Sequence, residues 1–231
     1  MIEIRKADER GITETEWLKS WHSFSFGAYY DPENTQFGCL RVINDDLIAA
    51  ETGFGEHGHR DMEIVTYVFE GRLTHRDSLG NIGYINAGEV QRMSAGTGIR
   101  HSEFNDTKSP VKLLQVWFLP EQKGIKPDYE QKQFSNDGKI NQLQLLISKQ
   151  PVNGSLKINQ DVDIYASILE QGSRLEFIPK PAKKIWVQVI SGILDINANK
   201  FREGDGAKIE GETMLNIKAD EQAQFVIFEM V

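Results

Sequence analysis

Apolar and polar positions alternate along most of this chain in short runs, and the period is two rather than three or four. Residues 21–27 (Trp-His-Ser-Phe-Ser-Phe-Gly) alternate large apolar with small polar residues, read as a half-buried strand, and run into the turn Tyr30-Asp31-Pro32. Residues 37–43 and 47–52 read as two strands on either side of Asn44-Asp45-Asp46, a short polar turn. Residues 63–69 are β-branched and aromatic and stop at Gly71; Leu73, His75 and Asp77 alternate up to a hairpin tip at Ser78-Leu79-Gly80-Asn81. Residues 111–119 form the most apolar run of this half and end at Pro120. One helix is expected: Thr13 with Glu16 three positions on matches a capping box, and a short turn of helix would continue through Trp17 and Leu18. The prediction is an all-β protein with very little helix.

Residues 121–139 change character, being polar and carrying Gly124, Pro127 and Gly138, which marks a connection between domains. Short β-type runs then resume at 143–147, 156–158, 164–169, 175–178, 185–190, 193–196, 214–217 and 225–228. Parts of the first series return in the second. Val68-Phe69-Glu70-Gly71-Arg72-Leu73 is echoed by Val189-Ile190-Ser191-Gly192-Ile193-Leu194, Ala87-Gly88-Glu89 by Glu203-Gly204-Asp205, and the strand through Gln115-Val116-Trp117-Phe118 by Gln224 to Phe228. Two β-barrels of one kind are therefore expected, at 1–125 and 126–231, and a chain of 231 residues is long enough to give each a core.

Charge narrows the partners. The net charge is −8, the pI is near 5.2, and the lysines and arginines are scattered, so no basic face is offered to DNA or RNA. No run reaches the ~20 apolar residues that span a bilayer, and the N-terminal residues lack the apolar core of a signal peptide. The single cysteine, Cys39, lies in an apolar run and reads as a buried hydrophobe rather than a reactive thiol. Cytoplasmic residence is the expectation.

Histidine changes the picture. There are five in all, and three fall into two short pairs, His57-Gly58-His59 and His101-Ser102-Glu103. Side chains two apart on a strand share a face, so each pair presents two donors to one side. Two such strands in one barrel would gather three neutral imidazoles and a carboxylate. That set suits a divalent transition ion with positions left for substrate or oxygen. Glu63, four residues after His59, is a second carboxylate in reach. His75, beside a turn, is expected to be exposed, and His22 to be at most a neighbour of the site. Arg60 and Arg100 sit between ligand positions and should point away. The glycine-bearing bend at 94–98 lacks the endings of a phosphate or dinucleotide loop.

His57-x-His59 followed by Glu63 and Gly71, and Gly88 through His101 and Asn105, resemble the two cupin motifs. The segments 75–81 (His-Arg-Asp-Ser-Leu-Gly-Asn) and 94–103 (Ser-Ala-Gly-Thr-Gly-Ile-Arg-His-Ser-Glu), with 22–27 and Tyr30-Asp31-Pro32, are similar to the pirin family. That resemblance implies a bicupin of two jelly-roll barrels with an iron-type metal in the first. The cupin pattern would take Glu63 as the carboxylate ligand. The pirin pattern takes Glu103 with His57, His59 and His101, leaving Glu63 behind them. The implied ion is Fe(II), with nickel, cobalt, manganese, copper or zinc also accepted by such ligands. The implied activity is that of bacterial pirin-like quercetinases: opening the central ring of a flavonol with O2 and releasing CO, with Glu103 as the base. An iron-bearing, redox-sensing regulator acting through a protein partner is the alternative. A cupin isomerase, which would need Lys or Arg for a sugar phosphate, is a third reading. Phe24, Phe26, Tyr67 and Trp117 are the aromatic residues that could line an apolar pocket.

Overall fold

The computed structural model describes residues 1–231. The chain is almost wholly strand. In order these are β1 (Ile2–Arg5), β2 (Gly11–Glu14), β3 (Leu18–His22), β4 (Leu40–Ile48), β5 (Thr52–His59), β6 (Glu63–Glu70), β7 (Arg72–Asp77), β8 (Ile82–Asn86), β9 (Glu89–Ser94), β10 (Ile99–Asn105), β11 (Val111–Phe118) and β12 (Asp128–Gln133). There follow β13 (Gln144–Ser148), β14 (Leu156–Lys157), β15 (Val162–Leu169), β16 (Arg174–Phe177), β17 (Lys184–Ser191), β18 (Ile193–Ile196), β19 (Asn199–Arg202), β20 (Gly206–Ile209), β21 (Leu215–Ala219) and β22 (Ala223–Met230). Only two single 3-10 turns, Ala7–Glu9 and Asn136–Gly138, interrupt them. No helix is long and apolar enough to cross a membrane.

The chain divides into two compact units, residues 11–134 with 156–160, and residues 1–10 with 135–155 and 161–231. The first break comes at 134 because β12 pairs with β9 along its whole length, from Asp128↔Ser94 to Gln133↔Glu89. The first ten residues join the C-terminal unit because β1 pairs with β20. Each unit is two sheets. In the N-terminal unit the orders are β12-β9-β6-β11-β4-β3-β2 and β5-β10-β7-β8. In the C-terminal unit β20-β17-β22-β15 repeats β9-β6-β11-β4, and β16-β21-β18-β19 repeats β5-β10-β7-β8. The sequence echoes fall on equivalent places. Gly71 and Gly192 both hold positive φ, 76° and 79°, at the corner where one sheet hands over to the other.

Three local expectations fail. The strand expected over 21–27 ends at His22, and Phe26 makes only an isolated bridge with Tyr29. Residues 11–22 form a hairpin and not a helix: Ile12 pairs with Trp21 and Thr13 with Ser20, and the Thr15 hydroxyl accepts from the Leu18 amide within the turn (3.0 Å). A few β-branched and aromatic residues with a sheet to join are better served by pairing than by an isolated helical turn. Asn44-Asp45-Asp46 is likewise no turn, but the middle of β4, and all three are buried. Their polar groups are tolerated because β3 brings partners across: Asn44 Oδ1 meets His22 Nδ1 at 2.8 Å, and Asp46 takes a hydrogen bond from Ser20.

The alternation inside the N-terminal barrel leads directly to the site. Val68, Leu73, Leu113 and Ile48 belong to one apolar cluster, and Ile64, Met93 and Ile99, with Trp117 against them, to another. Between them, in the same inward register, lie Thr66, Gln91, Gln115 and Asp46. The barrel thus has an apolar plug at each end and a polar waist.

Candidate metal centre

His57 and His59 come from β5, His101 and Glu103 from β10, its neighbour in the sheet. Ile99 faces His59 and His101 faces His57, but Glu103 faces Phe54, so β5 carries one residue more than β10 over this stretch. A bulge of this kind re-aims the side chains beside it. Its position is held by Gly53, where a Cβ would lie 2.2 Å from the Glu103 carbonyl oxygen. The three rings close on one another, with centroids 4.4 Å (His57–His101), 4.8 Å (His57–His59) and 4.8 Å (His59–His101) apart, and one nitrogen of each lies within 4.8 Å of the others.

Burial keeps two of these rings neutral. Desolvation first, then the neighbouring imidazoles, lower His59 to about 4 and His101 to about 3. Neutral imidazole is the ligating form. His57 Nδ1 donates to the Gly55 carbonyl (2.9 Å), since a carbonyl only accepts, and this leaves Nε2 as a lone-pair donor. Nε2 of His101 is buried with no hydrogen-bond partner. Glu103, also buried, accepts from Gln115 Nε2 at Oε2 (2.8 Å), while its Oε1 has no partner. Gln115 is itself oriented by Trp117, whose Nε1 donates to Oε1 (3.2 Å). Unmade hydrogen bonds at buried polar atoms cost about 1–3 kcal/mol each, and more for a charged group. A divalent ion among these atoms would satisfy both orphans at once, and nitrogen with one carboxylate is a fitting donor set.

The donors open onto a cavity of about 210 Å3. His57, His59, Glu103 and Gln115 line it beside Phe26, Phe54, Leu18 and Trp117, and Thr13, Ser20, His22, Asn44 and Asp46 line it as well. No lysine or arginine is among the lining residues. Arg100 instead pairs with Glu56 at 2.8 Å on the surface, as strand alternation requires, and nothing here suits a sugar phosphate. Of the four aromatics expected, Phe26 and Trp117 reach the cavity, whereas Phe24 and Tyr67 are buried elsewhere; Phe54 was not anticipated. It lies in a glycine-rich stretch whose inward facing the bulge decides.

Two other expectations are corrected. Glu63 does not stand behind the clustered histidines and Glu103. It is in the outward register of β6, opposite to Ile64 and Thr66, and its Oε2 accepts from Ser94 Oγ (2.9 Å) and the Asn159 amide (3.1 Å). It fastens residues 156–160 to the barrel. His75 is not exposed but fully buried, stacked on Tyr129 (4.9 Å between centroids, 27° between planes), with Nδ1 3.4 Å from His101 Nδ1. His22 lines the cavity and bonds Thr13 and Asn44, on a different sheet from the clustered histidines.

Residues 4–118 match a family model described as Pirin, and residues 145–230 one described as a quercetinase C-terminal cupin domain. The chain is 45% identical to a quercetin 2,3-dioxygenase of Escherichia coli (strain K12), over all of this chain and 99% of that one. It is 37% identical to a pirin-like protein of Caulobacter vibrioides over 99% of each. The crystal structure of the bacterial pirin YhhW from Escherichia coli in complex with nickel(II) superposes with a TM-score of 0.95 at 44% identity, covering 100% of this chain and 99% of that one. Two barrels of the same strand order, a histidine cluster in the first of them, and these matches along the full length have one reading: the chain belongs to the pirin family.

Proposed function

We propose that this protein is a metal-dependent dioxygenase that opens the central ring of flavonols such as quercetin with O2, giving the ring-opened ester and CO. His57, His59, His101 and Glu103 would hold one divalent ion, Fe(II) in the first instance. The observation that carries this reading is the pair of buried, unpartnered donor atoms, His101 Nε2 and Glu103 Oε1, in residues that border or adjoin an apolar, aromatic cavity. The names of the full-length relatives support it. When bound, the ion supplies open positions for a flavonol oxygen and lowers the pKa of the hydroxyl it meets.

The chain's own groups do the rest. Glu103 takes the proton of the flavonol 3-hydroxyl, and Gln115 holds the carboxylate in place for it through Oε2. Phe26, Phe54 and Trp117 flank the planar substrate and keep water from the electron-rich anion. His22 and Asn44 are held by their own hydrogen bonds and offer polar contacts to hydroxyl groups at the far side. A regulator working through a protein partner would have no use for this cavity, so the enzymatic reading is preferred.

The test is quercetin-dependent O2 uptake by metal-stripped protein reloaded with single divalent ions, alongside Glu103→Gln. Uptake should require metal and yield CO, and the variant should lose at least ~100-fold in kcat/KM. Protein shown to be loaded that consumes no O2 with any ion would overturn the proposal.

A further inference from the structure

The ligand set leaves a group of buried residues without a role. His75 and Asp77 are both wholly buried as side chains, one turn of hairpin away from the surface, and His75 forms a second close grouping with His101 and Glu103. Register explains the proximity: β7 is the other neighbour of β10, with His101 opposite Asp77 and Glu103 opposite His75.

The hydrogen positions follow from elimination. His101 Nδ1 and His75 Nδ1 lie 3.4 Å apart, so one of the two must carry a hydrogen and the other a lone pair. His101 Nε2 is the nitrogen without a protein partner, and a neutral imidazole has only one N–H. If Nε2 is kept for an ion, Nδ1 of His101 is the donor and Nδ1 of His75 the acceptor. The hydrogen of His75 is then on Nε2, which lies 3.2 Å from Asp77 Oδ2. Asp77 can only accept. Its Oδ1 takes the amides of Leu79 (2.9 Å) and Asn81 (3.0 Å), and Oδ2 also takes Asn81 Nδ2 (2.9 Å). Every donor from His101 through His75 to Asp77 has an acceptor, and the direction is the one that frees Nε2 of His101.

The geometry points to a buried relay, Asp77–His75–His101, in which His75 is a positioning residue that fixes the tautomer and ring orientation of His101 and raises its strength as a ligand. His75 is not a fifth ligand, because using its Nδ1 jointly with His101 would turn the partnerless Nε2 of His101 away from any ion. The ring of His75 is clamped from the other side by Tyr129, whose hydroxyl donates to Gln131 (2.8 Å). Tyr129 fits there because position 83, across from His75 on β8, is glycine: a Cβ would lie 2.1 Å from the tyrosine oxygen. The segment from His75 to Asn81, with Gly83 and Tyr129, thus acquires a function. Outer partners of metal-bound histidine typically contribute 10–100-fold in metal affinity.

This rests on the metal site proposed above and not on the dioxygenase reaction, so turnover is no part of its test. In the zinc-loaded, 15N-labelled protein, two-bond 1H–15N spectra should show His101 protonated at Nδ1 and metal-bound at Nε2, with His75 protonated at Nε2. His75 protonated at Nδ1, or bearing the metal, would overturn the relay whatever happens to the variants. His75→Phe keeps the stack on Tyr129 and removes the acceptor, and should lower zinc affinity 10–100-fold by chelator competition. His75→Gln, which restores an acceptor, should recover part of it. Unchanged affinity in His75→Phe, or equal losses in both, would overturn the proposal. A wild-type protein that binds no zinc would refute the metal site itself, a separate outcome from failure of the relay.

Discussion

The pairs His57/His59 and His101/Glu103 were legible in the sequence because two-residue spacing on a strand is a local property. His75 was not. Next to a turn it looks exposed, and only the pairing of β7 with β10 and the arrival of Tyr129 from a distant strand bury it. Asp46 is a similar case with a measurable result. Burial chiefly, with the charges of Asp45 and Glu103 adding and the Ser20 hydrogen bond opposing, pushes its carboxyl up to about 7. The folded state therefore holds a proton that the unfolded state, near its ordinary value of 3.8, releases earlier. Stability from this group is complete below about pH 4 and is lost as pH rises to about 7. Asp46→Asn should accordingly match wild type near pH 4 and exceed it at pH 8, by on the order of 1–3 kcal/mol in urea unfolding of metal-free protein. A gain that is largest in acid would contradict this assignment.

At the scale of elements, the strands most plainly patterned in sequence were found where expected, and the failures have a common cause. A polar triplet reads as a turn and a capping box as a helix start when only neighbours in sequence are considered. Asn44 and Asp46 stay in strand because His22 and Ser20 on β3 meet them. The bulge of β5 against β10 belongs to the same class, since nothing local announces it. It makes a prediction: Gly53→Ala, whose Cβ would press on the Glu103 carbonyl at 2.2 Å, should destabilise the protein by roughly 2 kcal/mol or more and weaken metal binding. Gly58→Ala lies between the two histidines but meets nothing nearer than 3.7 Å, and should stay within about 0.5 kcal/mol in the same denaturation assay.

Over the whole molecule the two barrels share strand order but not chemistry. Where β5 and β10 bring histidines and a glutamate inward, the equivalent β16 and β21 supply Leu175, Phe177, Leu215 and Ile217 to an apolar cluster. That cluster is apolar throughout, and no histidine follows His101. Metal should therefore stabilise one unit selectively. At an ion concentration about 100 times Kd the gain is about 2.7 kcal/mol. Hydrogen exchange should register it as added protection in β5, β7 and β10, leaving β16 and β21 unchanged; equal protection in both barrels would refute a single site.

What the sequence determined alone was whatever depends on period and residue type: the all-β class, the doubled barrel visible in its repeats, and the two pairs that put His57 with His59 and His101 with Glu103. These follow from strand geometry, in which each side chain's face is set by its neighbours two positions away. Tertiary structure decided the rest. The burial of His75, the outward register of Glu63, the inward aim of Phe54 and the strand through Asn44 to Asp46 all depend on which strand lies alongside. Pairing joins residues far apart in the chain, and its register is a sum over both sheets rather than a property of any one segment.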